Sequence, residues 1–302
     1  MKTHYKPTAK GYFSGCGGME LGLSLAGVTL IQSLDLDKDA IECMRQNSHY
    51  FSHEVLHADI KDKTVLEQPP SDIIVGTYPC TKYSPIADIH GTRTGDDLFL
   101  HFFRHIAIGK PEMYVVENVP GMKKFKVVME AMTKLPDYYI NIFCPLNAAL
   151  WLPQKRERLI LIGTRRNFII SSPTEKRKKP TIKNIKEENP LVDMSEYVIK
   201  RLKGHYRDLP IIVDPEDSKA IAPTCVAHYS KDLSTRLIKD KASKYGVRPF
   251  SVREYARLQG FPDDFVFKNE RSSYKLIGNA VPVSMGKWIG EEVVKYFNQR
   301  PR

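Results

Sequence analysis

The stretch "GYFSGCGGMELGLSLA", residues 11–26, joins a short apolar run to a helix-like run through a glycine-rich turn. Gly15, Gly17 and Gly18 would let the backbone approach a ligand closely where the predicted strand ends. The spacing departs from the G-x-G-x-x-G dinucleotide fingerprint, because the next glycine, Gly22, comes too late. The turn by itself is as compatible with a plain connection between strand and helix as with a ligand site.

Strand-like and helix-like runs alternate along the first half of the chain. The strand-like runs are 29–34, 54–56, 73–75, 113–116 and 159–163, and the helix-like runs between them include 38–47 and 98–108. This β-α-β-α order predicts an α/β fold with a parallel, doubly wound sheet. In such folds, ligands bind at the carboxyl ends of the strands.

The texture of the sequence changes after residue 164. Scattered prolines, mixed charges and the basic run 176–179 continue to about residue 248 without clear periodicity. Helical patterns return at 251–260 and at 283–297, the latter after the start signal of a proline. We therefore predict a large domain of residues 1–165 plus 273–302 and a smaller, irregular domain of residues 166–272.

The composition is that of a soluble globular protein. Of 302 residues, 42% are apolar and 27% are charged, which allows one large and one smaller domain. The net charge of +11 favours a polyanionic partner. Nucleic acid is favoured over a membrane surface as that partner, because no basic amphipathic helix stands out in the sequence. Neither a signal peptide nor an apolar run of about 20 residues is present, so we expect no membrane association and a cytoplasmic location.

The cysteines and histidines give no metal-binding pattern. The five cysteines lie at positions 16, 43, 80, 144 and 225 without a C-x-x-C pair, which argues against a disulfide framework and a structural zinc site. The pairs His49/His53 and His101/His105 have a spacing that can bind zinc, but no third ligand accompanies either pair. We predict no metal site.

Acidic residues follow the two strands after the glycine turn. Asp35 ends the first of them, about twenty residues on, where a carboxylate can accept both hydroxyls of a ribose. Asp59 follows the second and is suited to accept from an exocyclic amine, with Ile60 covering one face of the ring. These groups predict an adenosine site without a phosphate clamp, which fits S-adenosylmethionine better than NAD.

A thiol, a carboxylate and two arginines follow the later strands. Cys80 comes just after a buried strand and a proline; a lone cysteine is more often a small core residue than a nucleophile. Glu117 ends the next strand of the predicted parallel sheet. Arg156 and Arg158 alternate in extended chain, so we expect both guanidinium groups to face one ligand. Together these residues are expected to converge on one cleft.

Eight short motifs follow one another along the chain. They are "FSGCGGMELG" (13–22), "DLDKDA" (35–40), "ADI" (58–60), "PC" (79–80), "ENV" (117–119), "QKRER" (154–158), "VREYARLQGFPDDF" (252–265) and "GNAVP" (278–282). In order and spacing, and with the basic insert before residue 252, they resemble the DNA (cytosine-5) methyltransferases of bacterial and phage type. The resemblance covers most of the chain.

The resemblance implies a mechanism and a set of catalytic residues. Cys80 would attack C6 of a flipped cytosine, after which C5 takes a methyl group from S-adenosylmethionine. Glu117 would hydrogen-bond N3 of the base, and Arg158 would hold its O2. Arg156 would brace the loop and a nearby phosphate. Lys82 and the arginines would favour the thiolate.

The resemblance also implies the fold, the cofactor site and the partners. The large domain would be a Rossmann-like, S-adenosylmethionine-dependent methyltransferase domain, and residues 166–272 a target-recognition domain on double-stranded DNA. A separately encoded cognate restriction endonuclease is compatible with this class, and we expect a monomer. The positions that match the family's cofactor contacts are Phe13, Gly15, Gly17, Asp35, Leu36, Asp59, Ile60, Pro79, Leu98, Asn279 and Val281.

Two positions near the nucleophile depart from the family's pattern, and two alternatives stay open. Thr81 replaces a glutamine, and Tyr78 stands where Gly or Pro is usual. One alternative is a tRNA cytosine-5 methyltransferase. The large insert before residue 252 argues against it, because an insert of this size favours recognition of a DNA duplex. The other is a catalytically inactive DNA-binding relative, against which the intact Cys80, Glu117 and Arg158 speak.

Overall fold

The computed structural model describes residues 5–79, 98–176, 178–192, 196–205, 211–268 and 270–299. The chain divides into two compact units, which are described separately. Unit 1 comprises Met1–Asn147, Glu157–Pro173 and Met285–Arg302, and unit 2 comprises Ala148–Arg156 and Thr174–Ser284.

The described residues form strands and helices at nearly all of the predicted places, with ends that differ by at most two residues from the predicted runs. The strands are β1 Thr8–Tyr12, β2 Thr29–Asp35, β3 Glu54–His57, β4 Ile73–Gly76, β5 Met113–Asn118, β6 Tyr139–Asn147, β7 Glu157–Thr164, β8 Ile211–Val213, β9 Arg236–Lys239 and β10 Val247–Pro249. The helices are α1 Gly18–Leu25, α2 Lys38–Gln46, α3 Leu98–Gly109, α4 Lys126–Thr133, α5 Ile182–Ile185, α6 Glu196–Lys203, α7 Val252–Leu258, α8 Glu270–Asn279 and α9 Val283–Asn298.

Unit 1 is built on a seven-stranded sheet with the order β3-β2-β1-β4-β5-β7-β6. The five strands from β3 to β5 in this order are parallel. The order reverses between β1 and β4, and in open α/β sheets ligands bind at the carboxyl ends of the strands at such a switch point. The predicted α/β, doubly wound fold class is confirmed.

The prediction of a wholly parallel sheet is wrong at one edge. β7 runs antiparallel to β5, and β6 runs antiparallel to β7 on the outside. β6 was not predicted, because Pro145 interrupts its sequence pattern and cannot donate to a neighbouring strand. The pairing shifts register between Phe143 and Leu146, an irregularity that an edge strand tolerates.

Helices cover both faces of the sheet, as successive residues of β1 illustrate. A side chain at Gly11 would meet the carboxylate of Glu20 at 2.1 Å, so α1 lies close to this face. On the opposite face, the Tyr12 hydroxyl lies 3.1 Å from Nδ1 of His105, a residue of α3. Tyr12 and His105 are both buried, which makes this pair of one strand and one helix part of the core.

The last helix packs closely on the first. A Cβ added to Gly286 of α9 would lie 2.7 Å from the carbonyl oxygen of Met19 in α1. One turn further, a Cβ on Gly290 would lie 2.6 Å from that of Ala26. The glycines thus allow a close helix contact that larger residues would exclude. No helix among the described residues is long and apolar enough to cross a membrane.

Unit 2 has a small three-stranded sheet and a tyrosine-rich core. β8 pairs parallel with β9, and β10 pairs antiparallel with it. Tyr229 and Tyr255 stack with ring centroids 4.8 Å apart, and Tyr274 packs edge-on against both. Arg248 of β10 is also buried, and it donates to the carboxylates of Glu254 at 2.7 Å and Asp240 at 2.6 Å.

The two units differ in their bounds from the predicted domains of 1–165 plus 273–302 and 166–272. Residues 148–156 belong to unit 2, because Lys155 N donates to Ala222 O at 2.9 Å and Ala222 N donates to Pro153 O at 2.8 Å. This short insertion between β6 and β7 has no periodic pattern of its own, so its long-range pairing was not visible in the sequence. That unit 2 recognises DNA stays a prediction.

Candidate active site

The glycine turn after β1 has the left-handed backbone that its sequence favours. Phe13, Gly15 and Gly17 have φ values of 61°, 55° and 84°, and Gly17 is the N-cap of α1. A Cβ at Gly17 would lie 2.5 Å from the ring of Phe51, whereas a Cβ at Gly15 would meet nothing within 4 Å. The turn is therefore packed on one side and open at Gly15, as a ligand cradle requires.

Asp35 is fixed against this turn from the end of β2. Its carboxylate accepts from Gly15 N at 2.7 Å and from Asp37 N at 2.7 Å. Burial raises the pKa of Asp35 above its usual value, although both N–H donors oppose the shift. The next residue, Leu36, is 63% exposed. The structure thus brings the predicted ribose acceptor to the predicted turn.

Three predicted cofactor contacts belong to one hydrophobic cluster. Ile60 is buried in it, and Phe13 and Leu98 pack against its rim. Asp59 precedes Ile60 as the cap of a short 3-10 helix, and its carboxylate accepts from Lys61 N at 3.0 Å. Phe13, Ile60 and Leu98, from three segments of the chain, therefore belong to the same apolar part of unit 1.

The chain that leaves β4 is tied to both neighbouring strands. Thr77 Oγ1 donates to Phe13 O at 2.7 Å, and Asn118 Nδ2 donates to Tyr78 O at 3.1 Å. Pro79, a predicted cofactor contact, is exposed at the end of this described segment. Cys80, the predicted nucleophile, lies outside the described residues, as do Thr81 and Lys82.

Glu117 and Arg158 form an ion pair at the end of β5. Arg158 Nε lies 2.8 Å from Glu117 Oε1, and the two side chains are only 12% and 10% exposed to solvent. Arg158 also donates from Nη1 to the carbonyl of Glu157 at 2.7 Å. A paired, hydrogen-bonded carboxylate and guanidinium at a strand end offer an acceptor and a donor to a polar ring such as a nucleobase.

The expectation that Arg156 and Arg158 face one ligand is wrong. Arg156 is 2% exposed and lies in unit 2, where it donates to the carbonyls of Cys225, Gly278 and Ala280 at 2.8–3.0 Å. Both Nη atoms of its guanidinium donate to backbone acceptors, and Arg156 precedes β7, the strand that carries Arg158. Arg156 thus acts as a structural cross-link of unit 2.

Asn279 and Val281 are the direct sequence neighbours of the carbonyls that Arg156 binds. Gly278 O and Ala280 O, the carbonyls on either side of Asn279, accept from the Arg156 guanidinium. Gln259 Nε2 also donates to Ala280 O at 2.9 Å. The side chain of Asn279 is exposed and Val281 is buried. The backbone of these two predicted cofactor contacts is therefore held firmly within unit 2.

Two buried polar residues, one in each unit, were not singled out in the sequence. Asn118 is 2% exposed and orients the chain beyond β4, and Gln154 accepts from Cys225 N at 2.8 Å while donating to Leu258 O at 2.7 Å. Both lie inside quoted motifs, Asn118 one residue after Glu117 and Gln154 two residues before Arg156. A buried amide in such a motif was the signal that could have identified them.

The four cysteines among the described residues are poor nucleophiles. Burial raises the pKa of Cys16, and it raises the pKa of Cys43 and of Cys225 to about 12. Burial also raises the pKa of Cys144. Within the described ranges, no cluster of three or more histidine, cysteine, aspartate or glutamate side chains could hold a metal ion.

Comparison with known proteins identifies the family. Residues 11–221 and 224–295 match the C-5 cytosine-specific DNA methylases. The chain is 29% identical over 335 residues to the Type II methyltransferase M.Sau96I of Staphylococcus aureus, covering 95% of this chain and 75% of the relative. It is 31% identical over 313 residues to the Type II methyltransferase M1.ScrFI of Lactococcus lactis subsp. cremoris, covering 95% and 78%.

A solved structure supports the fold independently. The methyltransferase EhMeth of Entamoeba histolytica matches with a TM-score of 0.78 at 20% identity, covering 97% of this chain and 98% of that chain. At this identity, the likeness concerns the fold alone. Because the family match extends over well more than half of the sequence, the chain belongs to the C-5 cytosine-specific DNA methylase family.

Proposed function

We propose that the protein transfers a methyl group from S-adenosylmethionine to C5 of a cytosine within a specific sequence of double-stranded DNA, with Cys80 as the nucleophile. The arrangement at the ends of β4 and β5 carries this proposal. Glu117 is paired with Arg158 at 2.8 Å, and Asn118 holds the carbonyl of Tyr78, two residues before Cys80, at 3.1 Å. The chain that leads to the nucleophile is thereby tied to the strand that carries the carboxylate.

The residues divide the work of activating the base. The Cys80 thiolate adds to C6 and breaks the 5,6 double bond, so that electron density moves to C5 and to the N3 side of the ring. Glu117 shares a proton with N3, so that the two are joined by a hydrogen bond, and Arg158 donates to O2; both interactions stabilise the electron-rich ring. After methylation, the proton leaves C5 and the thiolate is expelled. The raised pKa values of Cys16, Cys43 and Cys225 support Cys80 as the reactive thiol.

The strand ends of unit 1 fit the cofactor. S-adenosylmethionine, when bound, supplies the activated methyl group. The open space at Gly15 and the fixed carboxylate of Asp35 suit a ribose, and Phe13, Ile60 and Leu98 offer an apolar surface for the adenine. Leu36, Asp59 and Pro79 complete this side, and we assign Asn279 and Val281 of unit 2 to the same ligand by their family positions.

We assign DNA recognition to unit 2. C6 of a stacked cytosine is out of reach, so the base has to be flipped from the duplex. The net charge of +11 suits binding of the phosphate backbone, which supplies affinity, while a few side chains read base edges. Arg156 stabilises this unit through its hydrogen bonds to three buried carbonyls.

The biological setting follows from the class of the relatives. Both curated relatives are named Type II methyltransferases. We extend this class to the present chain, as the modifying partner of a separately encoded restriction endonuclease, acting as a monomer in the cytoplasm.

Transfer of labelled methyl groups from S-adenosylmethionine to unmodified plasmid DNA, mapped by bisulfite sequencing, tests the proposal. Cys80→Ser is the test variant, and Cys144→Ser is the matched control, because Cys144 is a half-buried cysteine of β6. We expect methylation of one short motif that disappears in Cys80→Ser and persists in Cys144→Ser. Unchanged transfer in Cys80→Ser, or transfer to tRNA and not to DNA in a parallel assay, would contradict the proposal.

A further inference from the structure

Tyr78 is the last buried residue before the nucleophile in the chain. It is 3% exposed, although it lies beyond the end of β4, where side chains are ordinarily open to solvent. Pro79, the next residue, is already exposed. A large aromatic side chain buried at this point gives the chain a fixed exit from the sheet.

The side chain of Tyr78 contacts three segments of unit 1. It packs edge-on against Phe13, with ring centroids 6.2 Å apart, and tilted against Phe102 of α3 at 6.3 Å. Its hydroxyl donates to Sδ of Met122 at 3.3 Å. Met122 belongs to the short 3-10 helix that follows the β5 segment with Glu117.

The backbone on both sides of the ring is fixed to the same two strand ends. Thr77 N donates to Tyr12 O at 3.2 Å, and Thr77 Oγ1 donates to Phe13 O. Asn118 Nδ2 donates to Tyr78 O, while Asn118 Oδ1 accepts from Val119 N at 2.9 Å, which fixes the amide orientation. The side chain and the main chain of Tyr78 therefore both hold this residue against the ends of β1 and β5.

Covalent geometry limits how far the nucleophile can be from this anchor. Two residues of extended chain span at most about 7 Å, so the position of Tyr78 restricts the region in which Cys80 can lie. Misplacement of a reacting group by about 1 Å can cost roughly a hundredfold in rate.

We infer that Tyr78 is a positioning residue, which holds the chain leading to Cys80 against the Glu117 strand and, through Phe13, makes that position sensitive to the cofactor. This inference rests on the proposed function. A side chain that only filled the core would alter stability and leave the chemical step of the folded enzyme unchanged. A positioning residue instead alters the rate of attack at saturating ligand.

The test measures covalent adduct formation with duplex DNA that carries 5-fluorocytosine, in the presence of S-adenosylmethionine. After attack and methyl transfer, fluorine cannot leave C5 as a proton does, so the protein stays bound through the thioether to C6. The rate at saturating DNA and cofactor reports the attack, and the cofactor concentration at half-maximal rate reports cofactor binding. Circular dichroism fixes a temperature at which every variant is folded.

Tyr78→Leu removes the ring contacts and keeps an apolar side chain, and Tyr78→Met serves if the leucine variant does not fold. We expect the saturated rate to fall at least tenfold and the half-maximal cofactor concentration to rise about threefold. Tyr78→Phe keeps the ring and should stay within threefold of the wild type. Met132→Ala, a control in the same hydrophobic cluster but on α4, should leave both quantities within twofold.

Each outcome decides between the two claims. A wild-type protein that forms no adduct would overturn the proposed function and this inference with it. A wild-type adduct together with Tyr78→Leu or Tyr78→Met at near wild-type rate would overturn the inference alone. An equal loss in Met132→Ala would show that Tyr78 acts only through core stability.

Discussion

Arg158 Nε donates to Glu117 Oε1 across 2.8 Å. The two residues lie on β7 and β5, which are distant in sequence and are antiparallel neighbours in the sheet. In the register, Glu117 pairs with Ile160 and Asn118 with Leu159, which brings the side chain of Arg158 alongside the end of β5. The guanidinium thereby orients the carboxylate while keeping donors for a ligand.

Substitution of Arg158 by lysine should abolish this double role. An ammonium keeps the charge but has neither the planar fork nor the reach to pair with Glu117 and a base oxygen together. We expect a fall in single-turnover methyl transfer of about a hundredfold with little change in cofactor binding. Arg165→Lys, a half-exposed arginine just after β7, is the matched control. A loss below threefold in Arg158→Lys would contradict a role at the base.

Arg156 should behave in the opposite way. Arg156→Lys removes the planar fork that reaches three buried carbonyls, which costs about 2–4 kcal/mol in the free energy of unfolding. Denaturant unfolding measures this loss, with the exposed neighbour Lys155→Ala expected within about 0.5 kcal/mol of the wild type. Methyl transfer per folded molecule should stay within about fivefold. A hundredfold fall in activity with unchanged stability would restore Arg156 to the catalytic group.

Glu20 should make stability depend on pH. It is 2% exposed beneath the glycine turn, and burial raises its pKa to about 7. Because the folded state holds this proton more tightly than the unfolded state, the contribution of Glu20 to the free energy of unfolding should fall as pH rises from about 4.5 to about 7, by about 3 kcal/mol in total.

Glu20→Gln removes this titration. The difference in free energy of unfolding between the variant and the wild type, measured from pH 5 to pH 8, should shift in favour of the variant as pH rises, because the titrations of all other groups cancel in the difference. The variant becomes more stable than the wild type above pH 7. Glu291→Gln, an exposed carboxylate of α9, should keep the wild-type slope. Parallel curves for Glu20→Gln and the wild type would rule out Glu20 as the source.

Gly278 should tolerate no side chain. A Cβ there would lie 2.3 Å from the carbonyl carbon of Val226 and 2.4 Å from the N of Ala227, and backbone atoms cannot turn aside as side chains do. We expect Gly278→Ala to destabilise unit 2 by about 3 kcal/mol or more in denaturant unfolding. Gly109→Ala, where the nearest atom is a Val65 methyl at 3.4 Å, is the control and should change stability by less than about 1 kcal/mol. Equal stabilities of the two variants would show that the loop at residues 226–227 can move.

The sequence alone determined the alternation of strands and helices in unit 1. Short continuous apolar runs and amphipathic runs are local properties, so β1 to β5 and α1 to α3 could be predicted with nearly correct ends. The glycine turn and the fixed carboxylate of Asp35 could also be predicted, because a left-handed turn and a strand-end acid each have a local signature. The ordered motifs pointed to the family.

Only the tertiary structure decided which strands pair and where each arginine points. A strand's own residues do not specify its neighbour, so the antiparallel edge of β7 and β6 could not be read from periodicity. Arg156 and Arg158 are two residues apart, yet one is enclosed by the carbonyls of unit 2 and the other pairs with Glu117, because their partners are far away in sequence. Residues such as Asn118 and Tyr78 acquire their roles in the same way, since burial and hydrogen-bond partners arise only when distant segments pack together.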